Sequence, residues 1–209
     1  MRVCKICFSD IKCTGINALL FSSNICQSCF NGFNVIFKEE EVKKVKILFI
    51  YNYDETTKKY IFQLKGCFDI ALHDIFLERY KQELKLRYKG YVIVPIPSTK
   101  SSDIERGFNH VIKIFEGLEL PIIKCIEKKE DFKQSDLKKE EREKIKDKFI
   151  IKDGERLRNK KIVIVDDIYT TGSSFHAAVE LLQPYNPKVI KGCILCKNCR
   201  NSSNFYDRK

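Results

Sequence analysis

The sequence predicts an α/β fold: a mostly parallel sheet flanked by helices, behind a small N-terminal lobe organised by cysteines. Three observations carry this. Short apolar runs such as YVIVP and KIVIV alternate with segments of helical periodicity, the pattern of strand–helix–strand units. Two Cys-x-x-Cys pairs occupy the first 29 residues. The 209 residues, 44% hydrophobic and 32% charged, suffice for one full domain and a small satellite. The boundary is set at residue 40, giving a cysteine lobe at 1–40 and the sheet domain at 41–209.

The cysteines read CKIC at Cys4–Cys7 and CQSC at Cys26–Cys29, with 18 residues between the pairs. Two residues between thiolates let one tight turn aim both sulfurs at a single ion, and two such turns complete a tetrahedron. Cys4, Cys7, Cys26 and Cys29 are therefore expected to hold a structural Zn²⁺ and to make a zinc-knuckle domain too small for its own core. Four protein ligands leave no open coordination position, so this zinc would shape the lobe or meet a partner and would not activate water. Unligated or redox-active pairs are the competing reading of the spacing. Cys13 has no partner spacing.

After a charged stretch at 38–46, KILFIYNYD reads as a strand and about Thr57–Gly66 as a helix. Leu72, Phe76, Tyr80, Leu84 and Tyr88 recur every four positions, which predicts one amphipathic helix over Ile70–Tyr88, capped by Gly90. Its other face carries Arg79, Lys81, Lys85 and Arg87, a solvated surface or a track for a nucleic-acid backbone. YVIVPIPSTK is a buried strand ending in a Pro-Ile-Pro turn, and GFNHVIKIFEGL is helical. LPIIKCI, KFIIK and KKIVIVDD are strands, Ser173–Leu182 is a helix, and KVIKGCILC is a last strand with Cys193 facing the core. Of the 22 residues from Glu127 to Lys148, 17 are charged with nearly balanced signs, which predicts an exposed helix or mobile loop. The histidines His73, His110 and His176 are scattered and give no candidate general base.

The segment VIVDDIYTTGSS, Val163–Ser174, carries the chemistry. A buried strand that delivers polar residues at its C-terminal end and then turns into a helix puts them where open α/β sheets bind ligands. The backbone N–H groups of the helix start, with the hydroxyls of Thr170, Thr171, Ser173 and Ser174, suit a phosphate. Gly172 permits the close approach or positive φ such a turn requires. The carboxylates of Asp166 and Asp167 repel phosphate and must face hydrogen-bond donors, for which a sugar diol is the obvious candidate. Phosphate on one side and hydroxyls on the other describe a ribose phosphate.

At these residues the chain resembles the type I phosphoribosyltransferases, whose signature is an apolar strand, two acidic residues and a Thr-Gly-Ser or Thr-Gly-Thr loop. The resemblance implies that Asp166 and Asp167 accept hydrogen bonds from the ribose of phosphoribosyl pyrophosphate (PRPP), and that Thr170, Thr171, Gly172, Ser173 and Ser174 bind its 5-phosphate. VPIPSTK resembles the family's pyrophosphate loop, which brings in Ser98 and Lys100. ERGFNH, Glu105–His110, is similar to the Arg-Gly-Phe-Asn element of the ComF, or ComFC, subfamily, in which a four-cysteine zinc finger precedes the phosphoribosyltransferase domain. That order is matched along nearly the whole chain. DFKQSDL keeps Gln134 but lacks the prolines of the Thr-Pro-Pro-Gln type stretch found in relatives.

The resemblance implies a type I phosphoribosyltransferase-like fold, Mg²⁺ as the companion of PRPP, and a role in natural transformation. In that role the protein would handle incoming single-stranded DNA beside a DNA translocase. Transfer of phosphoribose from PRPP to a nucleobase or amine is the alternative. A net charge of +11 suits polyanionic partners, or simply a solvated lysine coat. No apolar run approaches the roughly 20 residues of a membrane span and no signal core opens the chain, so a cytoplasmic location is expected.

Overall fold

The computed structural model describes residues 2–11, 24–128 and 149–198. Its five-stranded sheet has the order β1 (Val35–Val42), β2 (Val45–Asn52), β7 (Val189–Lys197), β6 (Lys161–Tyr169), β3 (Tyr91–Pro95). The last four strands in that order are parallel, and β1 joins β2 as an antiparallel edge. A separate antiparallel ribbon pairs β4 (Ile126–Lys128) with β5 (Phe149–Ile151). The helices are α1 (Gln27–Asn31), α2 (Glu55–Gly66), α3 (Lys81–Arg87), α4 (Lys100–Arg106), α5 (His110–Glu116) and α6 (Ser173–Leu182).

The central strands are buried on both faces, as parallel strands covered by helices must be. On β6, Val163 and Val165 belong to one apolar cluster and Ile162 and Ile164 to the other. The first cluster packs under α2, α5 and the 70–88 segment through Ile61, Leu64, Phe76, Leu84, Ile114 and Phe115. The second packs under α6 through Phe175, Ala178 and Leu182, and includes Ile126 and Phe149 of the ribbon. Cys4 and Ile25 of the cysteine lobe lie in the first cluster, so the lobe and the sheet share apolar contacts.

Four local expectations change. The segment 70–88 is not one helix: it holds two short 3₁₀ turns, Ile70–Leu72 and Glu78–Tyr80, before α3 begins. Ile75, Phe76 and Leu77 are all buried, and three consecutive residues cannot face one core from a single helical stripe. The charged stretch at 38–46 forms most of β1 and a hairpin turn at Lys43 and Lys44. Both of these have positive φ, as a two-residue turn between twisted strands demands. LPIIKCI meets the main sheet only through a parallel bridge from Ile122 to Ile93, its last residue Ile126 opening β4, and KFIIK joins the small ribbon instead of the main sheet. The PSTK turn runs into α4, which Gly107 (φ +78) terminates before Asn109 caps α5 by accepting the N–H of Ile112. Cys193 is fully buried as expected. Cys13, Gln134 and most of the charged segment lie outside the described residues.

Candidate functional site

β6 carries the apolar run to its end and there delivers two carboxylates beside β7, with Asp166 opposite Ile194. Alternation along the strand sends Asp167 to the face of Val163 and Val165, and Asp166 toward the face of Ile162 and Ile164. Asp167 is 6% exposed. Its Oδ2 accepts from Lys65 Nζ of α2 at 2.7 Å and lies 3.0 Å from His110 Nε2 of α5. Burial alone would raise the Asp167 carboxyl, but the His110 hydrogen bond and the Lys65 charge outweigh it and hold the group below the usual aspartate range. Asp166 goes the other way: burial and the neighbouring Asp167 charge push it well above that range. The two carboxyls are thus pushed in opposite directions, Asp167 toward the ionised form and Asp166 toward the protonated one.

Arg106 closes the back of this cluster. Its Nε donates to the Lys65 carbonyl at 3.0 Å, and its Nη1 lies 3.2 Å from both Asp103 Oδ1 and His110 Nδ1. Asn109 Nδ2 donates to the second Asp103 oxygen at 2.8 Å. Ser98 Oγ stands 3.4 Å from His110 Nδ1, so this residue of the expected pyrophosphate loop borders the cluster. Lys100 does not join it; its Nζ pairs with Glu127 of β4 at 3.3 Å.

The hydroxyl loop follows directly. Gly172 has φ +75, and a Cβ there would collide with the Tyr169 ring, so both its backbone and its neighbour require glycine. Thr171 Oγ1 and Ser173 Oγ are 2.7 Å apart at the start of the ten-residue α6, while Thr170 and Ser174 are exposed. Tyr169 supports the loop from below, edge-on to Phe49 and 3.2 Å from His176 Nε2 through its hydroxyl. Beside Lys65, a cleft of about 450 Å³ opens between α2 and the ends of β2 and β6, walled by Tyr53, Ile61, Phe62, Lys65 and Ile168.

Lys65, Arg106 and His110 were not among the predicted site residues, although the last two belong to the ERGFNH element that the sequence singled out. His110 left a signal: a polar residue heading the buried stripe Val111, Ile114 and Phe115 of α5. Lys65 left none, because it sits in the last turn of a helix and meets a partner 102 residues away.

The four predicted cysteines do converge. Their sulfurs lie within 4.8 Å of one another, and Cys7 and Cys26 are 3.7 Å apart. A tetrahedral ion with bonds of roughly 2.3 Å needs sulfurs about 3.8 Å apart, so the cluster could hold a metal of that kind. Hydrogen bonds from Ser9 lower the Cys7 thiol to about 6, while burial and the adjacent sulfurs push Cys29 up. Crowding of this sort is what a central cation relieves. The lobe is moored by Lys5 Nζ to Asp74 at 2.7 Å and by the Asn24 N–H to Glu78 Oε1 at 2.6 Å.

Residues 107–207 match the phosphoribosyl transferase domain family. Competence protein ComFC of Streptococcus pneumoniae (strain ATCC BAA-255 / R6) is 32% identical over 142 residues, which are 68% of this chain and 64% of that protein. This chain therefore spans just under two thirds of that relative. Competence protein ComFC of Bacillus subtilis (strain 168) is 27% identical over 194 residues, 87% of this chain and 78% of the relative. Among solved structures, a hypoxanthine phosphoribosyltransferase from Staphylococcus aureus aligns with a TM-score of 0.38 at 17% identity, covering 58% of this chain and 61% of that one.

Proposed function

We propose that this chain, a member of the ComFC family with a phosphoribosyl transferase domain, binds PRPP at the end of β6 and serves DNA uptake through that site. The observation that carries this reading is Asp167, a buried and ionised carboxylate placed immediately ahead of a hydroxyl loop at a helix start. Asp167 accepts from a ribose hydroxyl, and Asp166 completes the diol site. Thr170, Thr171, Gly172, Ser173 and Ser174 with the first N–H groups of α6 take the 5-phosphate. Ser98 lines the side toward the diphosphate, and Lys100 reaches it only on leaving Glu127. Mg²⁺ bound with the diphosphate supplies charge neutralisation. Cys4, Cys7, Cys26 and Cys29 hold a Zn²⁺ that shapes the lobe.

The +11 net charge suits a polyanion and the relatives are named competence proteins, which supports a role on DNA; the full reading is a cytoplasmic protein acting on incoming single strands beside a translocase. Among the described residues no helix is long and apolar enough to cross a membrane. The cleft beside Lys65 favours a second reading, phosphoribosyl transfer, because it offers an acceptor space next to the ribose position.

Calorimetric titration of Mg²⁺–PRPP into the wild type and into a folded Asp167→Asn variant tests the site. Binding that the variant loses supports it, and no binding by the wild type overturns it. Single-strand affinity should fall linearly on a logarithmic salt scale; a flat response removes the DNA role.

A further inference from the structure

We infer that the segment Arg106–His110 is a positioning element for the ligand carboxylate: Arg106 fixes the tautomer of His110, and His110 fixes which oxygen of Asp167 faces the ligand. This rests on the reading of Asp167 as the ribose acceptor. A guanidinium has donors and no acceptor, so the 3.2 Å contact from Arg106 Nη1 makes His110 Nδ1 the accepting nitrogen. Ser98 Oγ, a hydroxyl able to donate, lies 3.4 Å from the same nitrogen and is compatible with that tautomer. The ring proton therefore sits on Nε2 and points at Asp167 Oδ2. Lys65 meets the same oxygen, so both anchors hold Oδ2 and neither touches Oδ1. The carboxylate is pinned at one end and offers the other.

The rest of the segment keeps Arg106 in place. Gly107 adopts the left-handed conformation that ends α4 and turns the chain back toward α5. Asn109 caps α5 and bonds Asp103, the residue that also holds Arg106. Arg106 ties the arrangement to α2 through the Lys65 carbonyl, so one guanidinium orients both partners of Asp167. With Arg106 and His110 side chains only 7% and 5% exposed, solvent does not substitute for these bonds.

The test combines a spectroscopic readout with a rescue. In the ligand-free wild type, long-range proton–nitrogen NMR of the His110 ring should show Nε2 protonated and Nδ1 bare. A proton on Nδ1 overturns the inference. His110→Leu keeps an apolar filling but donates nothing, and Mg²⁺–PRPP affinity should fall about 10- to 100-fold, the usual weight of a hydrogen bond to a charged group. His110→Gln should recover most of it, because its carboxamide can accept from Arg106 and donate to Asp167 together. Wild-type affinity in a folded leucine variant overturns the positioning role alone, as does a folded glutamine variant no better than leucine. If leucine fails to fold, the tautomer and the glutamine variant decide. Absence of PRPP binding by the wild type overturns the ribose reading and this inference with it.

Discussion

Two carboxylates, the buried Asp167 near the end of β6 and the half-buried Glu78 at the mooring of the cysteine lobe, meet opposite fates. Asp167 has a lysine and an imidazole on one oxygen and stays ionised despite its burial. Glu78 has one backbone N–H on Oε1, a buried Oε2 without a partner and the negative Asp74 nearby, and burial pushes its carboxyl up to about 7. Burial is therefore not what sets the charge of a carboxylate here; the completeness of its partners is. The complete set keeps its carboxylate charged at the proposed ligand site, and the incomplete one leaves a carboxyl whose protonation is raised at the lobe mooring.

The largest expected effect is on the mooring side. Cys26→Ser should reduce bound zinc from about one per chain to near none and expose the first 30 or so residues to protease. A variant that keeps full zinc would show that the four-sulfur cluster is not the ligand set. At the other region, Asp167→Asn should cost about 30-fold or more in Mg²⁺–PRPP affinity and Asp166→Asn about tenfold or less, since asparagine resembles a carboxyl that already holds its proton. Equal losses in the two variants would contradict the split charge of the pair.

Lys65→Met removes one of the two groups that keep Asp167 ionised. A lowered aspartate contributes stability that is present above its ordinary value of 3.8 and lost as pH falls below it. The variant should therefore unfold at a higher pH on acid titration and melt about 2–4 °C lower at neutral pH. An unchanged acid midpoint would mean that His110 alone holds the charge. The smallest effect belongs to Glu78, whose raised value works in the opposite direction. Its contribution is full below 4.5 and is lost as pH rises toward about 7. Glu78→Gln should flatten that decline in melting temperature between pH 4.5 and 7; a parallel curve would remove Glu78 as its source.

The architecture was legible where one physical cause dominated. Strands buried on both faces have to be continuous apolar runs, so β2, β3, β6 and β7 stand out in the text of the chain. The edge strand β1 was hidden because VIFKEEEV is half exposed and its lysines and glutamates look like a solvated stretch. The periodicity at 72, 76, 80, 84 and 88 did identify four buried residues, Leu72, Phe76, Leu84 and Tyr88. It failed as a helix because Asp74 and Glu78 are required at the cysteine lobe and Ile75 and Leu77 are required in the core.

By itself the sequence determined the cysteine set, the Asp-Asp and hydroxyl-loop segment and the apolar runs of the main strands, because each depends on spacing within a few residues. Only the tertiary structure decided that Asp167 is held by Lys65 and His110, that Arg106 orients both, and that Lys100 is committed to Glu127. Those partners lie up to 102 residues apart along the chain and carry no mutual pattern. Electrostatic pairing depends on distance in space, which the sheet order and the packing of α2 and α5 on β6 alone establish.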